Sequence, residues 1–258
     1  MKIVVAYKWT RDPEEATVGA DGTVDWSRAK PGLSTYDPVA IELARGLAQQ
    51  TGAELIGVSV GGKGVGAPIA SKAALSRGLD RVLIVEDESL RDAGRSELAA
   101  VIAEVVRKIG DIDLVITGDS SVDVAAKMVP TVLAGELGWP AVAEVTAVTG
   151  QAGSLVVERA IPGGVQVLEI SGPAVLAASA DAAVAHVPGM KDLLAAGKKP
   201  VELLALADLN VPPRSAVMTL TGRARPARKA RKARLLDTTD PAAAAAELVT
   251  ALREAGAL

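Results

Sequence analysis

Between Lys2 and Gly138, short apolar runs alternate with longer stretches whose apolar residues recur at helical spacing. The first run, Lys2-Ile-Val-Val-Ala-Tyr-Lys8, is bounded by charge and predicts a buried strand. On length it is expected to be a strand rather than a signal peptide, whose apolar core typically spans ~7–15 residues. From Asp37 onward the pattern predicts a helix at 38–51, a strand at 54–60, a helix at 67–78 stopped by Gly78, and a strand at 81–86. A helix at 91–109, a strand at 113–117 and a helix running to Gly138 follow. Strands alternating with helices of this length predict a mostly parallel sheet flanked by helices, an α/β fold. Such sheets take ligands beyond the carboxyl ends of their strands.

After Pro140 the texture changes to short β-like runs at 142–148, 154–160, 164–170 and 174–179, which predict added hairpins packed on the first unit. From Ala180 regularity is lost. Near the end, Asp240-Pro241 ahead of an alanine run predicts a short terminal helix capped by Asp240. Residues 9–36 are rich in Asp, Gly, Thr and Pro, with room for a small hairpin around 22–26. So long a connection is a candidate for function.

Composition narrows the function classes. The 258 residues suffice for one large domain, or a compact domain with an extension, and they are 49% hydrophobic but only 2% aromatic. Ala, Val, Leu and Ile carry the apolar fraction, which excludes a disordered or collagen-like chain. There is no cysteine, so disulfides, thiolate metal sites, cysteine nucleophiles and an iron–sulfur role are excluded. His186 is the only histidine and no G-x-S-x-G elbow accompanies it, so neither a His-rich metal site nor a serine triad is expected. No run approaches the ~18 apolar residues of a membrane span. A soluble, cytoplasmic protein with no direct membrane insertion is the expectation.

The formal charge of −3 hides an asymmetry. Eight basic residues and no acidic ones lie between Arg214 and Arg234, which leaves 20 basic against 31 acidic residues elsewhere, or −11. No aromatic side chain interrupts the basic run for base stacking. A contact to an acidic protein partner or a solvated arm fits it better than nucleic acid.

Two loops could approach a ligand. Gly62-x-Gly64-x-x-Ala67 follows a strand and opens a helix, with Glu86 at the end of the next strand, so it loosely fits a dinucleotide fingerprint. It follows the second strand rather than the first, however, and glycines in a tight strand-to-helix loop are common. The segment Gly118-Asp-Ser-Ser-Val-Asp123-Val-Ala-Ala-Lys-Met-Val129 lies between a strand and its helix, where amides at a helix N-terminus make an anion pocket. Asp123 is alternatively only an N-cap.

The order of motifs along nearly the whole chain resembles the beta subunit of electron transfer flavoprotein. The opening strand V-A-V-K-R/Q-V of that family is similar to Val4-Val5-Ala6-Tyr7-Lys8-Trp9, and N-P-F-D-E-I-A-x-E-x-A is similar to Ser34 through Ala44. The A-V-S-x-G strand end is Gly57 through Gly61, and A-L-A-M-G-A-D-R is Ala74 through Arg81. G-K/R-Q-A-I-D-D-D-x-x-Q-x-G-x-x-x-A-x-x-L-G maps without gaps onto Gly118 through Gly138. V-E-R-E-x-x-G-G is Val157 through Gly164, P-A-V-V is Pro173 through Leu176, and L-P-N/G-I-M-x-A-K-K-K-P reaches Met190 through Pro200.

The resemblance implies an adenine-nucleotide alpha-hydrolase-like fold and a non-catalytic electron-carrier subunit. A nucleotide-binding α/β domain at 1–180 would be followed by a partner-recognition loop at 181–200, and by a C-terminal arm and short helix at 201–258 contacting the alpha subunit. AMP, or a second FAD in bifurcating relatives, would contact Ala6, Ser34, Thr35, Tyr36, Asp37, Val60, Gly118, Asp119, Ser120, Ser121, Val122, Asp123, Val124, Ala125, Ala126, Lys127, Met128 and Val129. Met190, Leu193 and Leu194 would dock a dehydrogenase of the acyl-CoA type, with Met190 as anchor. The redox FAD belongs to the alpha subunit, and a quinone oxidoreductase would be the downstream acceptor. Val124, Ala125 and Met128 replace family side chains that would donate to a phosphate, and Lys127 is the available substitute. A stand-alone nucleotide sensor or NAD-dependent protein built on the Gly62 loop is the competing expectation.

Overall fold

The computed structural model describes residues 1–19, 21–212 and 233–258. It divides into two units, Met1–Thr219 and Leu220–Leu258. Except for Arg234, the basic run from Arg214 lies outside the described residues.

The first unit opens with β1 (Lys2–Ala6), followed by a long excursion holding β2 (Trp9–Arg11), β3 (Thr17–Val18), β4 (Val24–Asp25) and β5 (Pro31–Leu33). Then come α1 (Asp37–Thr51), β6 (Glu54–Gly61), α2 (Pro68–Leu75), β7 (Arg81–Glu86), α3 (Arg95–Ile109), β8 (Leu114–Gly118) and α4 (Val129–Leu137). The rest of the unit is β9 (Ala141–Gln151), β10 (Ser154–Ile161), β11 (Gly164–Ile170), β12 (Ala174–Ala178), α5 (Met190–Ala196) and β13 (Val201–Leu204). Nine strands form one sheet in the order β11-β10-β9-β12-β8-β1-β6-β7-β13. It is parallel from β9 to β13, and only β10, paired antiparallel to both β9 and β11, runs the other way. This is the expected α/β fold.

The period of two along each strand splits the core. Ile3 and Val5 of β1, with Tyr7 just after it, join Ile41 and Leu47 of α1 and Leu75 of α2 on one face, while Val4 and Ala6 join Val101 and Val105 of α3 and Leu133 of α4 on the other. Because both faces are covered, β8 is buried at every position, which is why it reads as a continuous apolar run.

Four expectations need correction. The run at 174–179 is not part of a hairpin: β12 lies in the middle of the sheet, parallel to both β8 and β9, and all five of its residues are buried. Residues 201–204 were assigned to an arm, yet β13 pairs with β7 and closes the other edge. The irregular 181–200 stretch contains α5, seven residues long and too short to show periodicity. The helices expected at 67–78 and 91–109 are shorter, because the chain leaves α2 at Leu75 and α3 begins only at Arg95, after a 3-10 turn at Glu88–Leu90. The hairpin expected near residue 22 is formed by β3 and β4.

In the second unit α6 (Pro241–Glu254) begins as its sequence indicates. The Asp240 carboxylate accepts from the amides of Ala242 and Ala243 at 3.0 and 3.3 Å, with Pro241 in the first turn. Arg234 pairs with Glu247 at 2.7 Å. Among the described residues, no helix is long and apolar enough to cross a membrane.

Candidate functional site

Strand order reverses at β1, whose neighbours are β6, reached next through α1, and β8, reached later from the other side. A crevice therefore opens at the carboxyl ends of β1 and β8. Three pieces of chain meet there: residues 7–10 after β1, residues 34–37 entering α1, and the loop 119–128 after β8. Ser34 N donates to Lys8 O at 3.0 Å, and the buried Ser34 Oγ accepts from Val122 N at 3.2 Å. The long 9–36 excursion thus folds back onto the sheet and frames the loop.

Asp37, the first residue of α1, is buried beneath this junction and accepts from Lys8 N at 2.7 Å. Burial pushes its carboxyl up to about 7, against the opposing pull of the Lys8 and Gly118 amides and the Lys8 charge. The sign of the linkage follows. Between the ordinary carboxylate range and about 7 the folded chain retains a proton that the unfolded chain releases, so stability falls as pH rises through this window and levels off above it. Thermal melts from pH 4.5 to 8 should show that slope, and Asp37→Asn should flatten it; an unchanged slope in the variant would assign it to another group.

The loop is tied down by charge. Lys8 Nζ donates to both carboxylate oxygens of Asp123, at 2.8 and 2.7 Å, and Thr10 Oγ1 donates to Oδ2 at 3.0 Å. Partial burial raises the Asp123 carboxyl, but the hydrogen bonds and charge of Lys8, with Ser121 and Thr10, hold it below its ordinary value. Asp123 is therefore not an N-cap: Met128 occupies that position before α4 and supplies no side-chain bond. Lys127 pairs with the buried Asp119 and, at 2.8 Å, with Glu144 of β9, and these hydrogen bonds raise its pKa. Three non-glycine residues here hold left-handed backbone, Ala125 at φ 52°, Lys127 at 51° and Glu144 at 57°. Such residues persist where surrounding contacts over-determine them.

The remaining predicted contacts lie around this core. Ala6 is buried at the end of β1, and Val60 is partly buried on β6. Thr35 is exposed and Tyr36 packs over Gly118. Ser120 Oγ is buried and finds no partner among the described residues, while the Ser121 carbonyl accepts from Ala125 N at 2.9 Å. Val124, Ala125, Ala126 and Met128 face solvent, and Val129 starts α4. Lys8, Thr10 and Glu144 were missed as site residues by the sequence reading. One signal was available: Asp119 stands where the family pattern carries Lys or Arg, and a buried acid there needs a cation from elsewhere.

The Gly62 loop does not resemble a dinucleotide cradle in detail. Glu86 Oε2 accepts from Gly64 N and Gly66 N at 2.9 and 2.8 Å, so this carboxylate fills the loop rather than facing a ribose. A separate open cleft of about 350 Å³ is lined by Leu90, Val101, Leu206 and Leu209, with Asp87 and Glu97 at its edge. None of the predicted nucleotide contacts lines it.

In the 181–200 segment α5 projects apolar side chains while its far end is anchored. Met190 is 73% and Leu194 64% exposed, with Val184 and Val187 also exposed and Leu193 partly buried. Ala196 enters the core. Asp192 accepts from Gly189 N at 2.9 Å, closing the N-terminal turn, and meets His186 Nε2 at 3.1 Å. His186 is thus a loop residue rather than a base in a cleft. Lys199 Nζ donates to the carbonyls of Leu75 and Leu79 at 3.2 and 2.6 Å, fastening the chain after α5 to the end of α2. Lys199→Met, which removes the donor to Leu79 O and leaves Leu75 O only the Gly78 amide at 3.3 Å, should cost about 1–3 kcal/mol in urea unfolding. It should also speed proteolysis at 190–200, and an unchanged cleavage rate would remove Lys199 as the fastener.

The family described as electron transfer flavoprotein domain matches residues 22–209, well over half of the chain. That span runs from β4 through β13 and includes the 34–37 and 119–128 segments, as well as α5. Proteins of this family are electron carriers rather than catalytic enzymes; they generally bind FAD or AMP and work with other subunits and dehydrogenases. By the extent of this match and the sheet that carries it, the chain belongs to the electron transfer flavoprotein domain family.

Proposed function

We propose that this chain is the beta-type subunit of a heterodimeric electron transfer flavoprotein. It scaffolds an FAD-bearing alpha subunit, and the chain beyond β13 lies against that partner. It presents α5 to a dehydrogenase of the acyl-CoA type, and electrons leave for a downstream quinone oxidoreductase. The observation that carries this reading is the exposed pair Met190 and Leu194 on a helix pinned at its other end by Ala196 and Lys199. An apolar patch held on a rigid stub can enter a partner's pocket without first being ordered, which lowers the entropic cost of docking. A thioether at its tip adapts to the pocket shape.

The alpha subunit's flavin supplies the electron chemistry. This chain's residues position and dock. The competing reading, a stand-alone NAD-dependent protein, loses support from the Gly62 loop because Glu86 takes its Gly64 and Gly66 amides. Co-expression with an alpha subunit tests the proposal: a yellow heterodimer should form, lose its FAD when the alpha chain is stripped away, and accept electrons from an acyl-CoA dehydrogenase. A chain that stays monomeric and turns over NAD would overturn it.

A further inference from the structure

We infer that the 119–128 loop is closed on the chain's own charges, and that this subunit works without a nucleotide phosphate in the pocket where its family resemblance places AMP or a second FAD. The inference rests on the beta-subunit reading for the pocket's identity.

Among the described residues two cations reach the site and both are engaged. Lys8 is held by both oxygens of Asp123, and Lys127 by Asp119 and Glu144. Leaving aside Asp37, whose burial lets it keep a proton up to about pH 7, three carboxylates, Asp119, Asp123 and Glu144, face these two ammonium groups, so an entering phosphate meets excess negative charge. Lys127 cannot turn to a phosphate without leaving the buried Asp119 carboxylate unpaired, and an unpaired buried charge is strongly destabilising.

The other side-chain donors do not compensate, and three of the loop's amides are taken. The amides of Asp119, Val122 and Ala125 are already bonded, to Ala178 O, Ser34 Oγ and Ser121 O. Ser120 Oγ lacks a partner among the described residues but is shut away from solvent, so it becomes a donor only if the loop opens. The side chains of Val124, Ala125 and Met128 offer no N–H or O–H at all. By their charges and side-chain donors, the described residues therefore do not fit a phosphate. Two ion pairs hold the loop instead: Lys8–Asp123 ties it to the end of β1, and Lys127–Glu144 ties it to β9.

The test is a nucleotide inventory of the full chain co-purified with its alpha subunit, released by acid and resolved by chromatography. One FAD per heterodimer, with less than about a tenth of an equivalent of AMP or ADP, is expected, as is a melting temperature unmoved by millimolar AMP. One FAD plus one AMP overturns the inference and leaves the beta-subunit reading standing, and two FADs also overturn it. If no heterodimer forms, the beta-subunit reading fails, and the AMP melting titration of the chain alone decides the inference by the same criterion. Asp119→Asn with Glu144→Gln releases Lys127 and should bring AMP affinity up at least tenfold. A folded double variant that gains nothing would show that these charges are not what excludes the phosphate. Should the double variant not fold, the wild-type inventory and titration still decide.

Discussion

Gly118→Ala should lower the stability of the Met1–Thr219 unit by about 3 kcal/mol, at the upper end for overpacking a closed site. A Cβ at Gly118 would stand 2.7 Å from Tyr36 Cβ and 2.8 Å from Asp37 Oδ1. Neither neighbour can give way easily, because Tyr36 and Asp37 are fixed by the start of α1 and Asp37 holds the Lys8 amide. Relief would mean moving α1 off the end of β8, and with it the Ser34–Val122 bond that closes the loop. The measurement is urea unfolding of the full chain followed by circular dichroism. A loss under about 1 kcal/mol, the range of well-tolerated core swaps, would mean that α1 is not packed on Gly118 as described.

Met190→Ala should slow reduction of the heterodimer's flavin by its dehydrogenase about tenfold or more at subsaturating concentration, with flavin content and melting temperature unchanged. Fully burying a methionine side chain contributes roughly 1.5–3 kcal/mol, so truncating a docked anchor weakens the encounter by that order. In this chain alone Met190 is 73% exposed, so its truncation removes little intramolecular packing. Leu194→Ala serves as the companion variant, since that residue projects from the same short helix and is 64% exposed. Equal rates for wild type and both variants would move the docking surface elsewhere. Lys199→Met differs in kind. It should cost stability as well as rate, because its two carbonyl partners are in the body of the fold.

Much of the fold was legible because buried parallel strands carry their own signal. The run Leu114-Val-Ile-Thr-Gly118 is buried at every position and apolar on both sides of the pleat at its start, since both faces are covered, and the interiors of β6 and β7 are also largely apolar. The apolar stripe of α1, from Val39 to Leu47, was equally plain. What escaped were short elements whose state depends on neighbours. Val201-Glu-Leu-Leu204 is exposed at three of its four positions and is a strand only because β7 offers it an unpaired edge. Met190–Ala196 is too short to be helical on propensity alone and is held by Asp192 at one end and by Ala196 and Lys199 at the other.

The candidate site divides along the same line. The segment 118–129 is marked by its place at a strand end and by family pattern, 34–37 by family pattern alone, and both border the crevice beside β1 and β8. Partnership was not legible. Lys127 looked like a spare cation, whereas Asp119 and Glu144 hold it; Asp123 looked like a helix cap, whereas Lys8 and Thr10 hold it. Glu144 lies 17 residues from Lys127, on a strand whose left-handed kink no local pattern announces.

The sequence alone determined the class of sheet, the absence of thiol chemistry and the family, because burial on two faces and residue inventory are written locally. Only the tertiary structure decided which charges are spent. Ion pairing depends on distances across strands far apart in the chain, and Lys8 meets Asp123 across 115 positions. It is that meeting, and not the composition of either segment, which turns a loop with the outline of a phosphate site into one already closed by its own carboxylates.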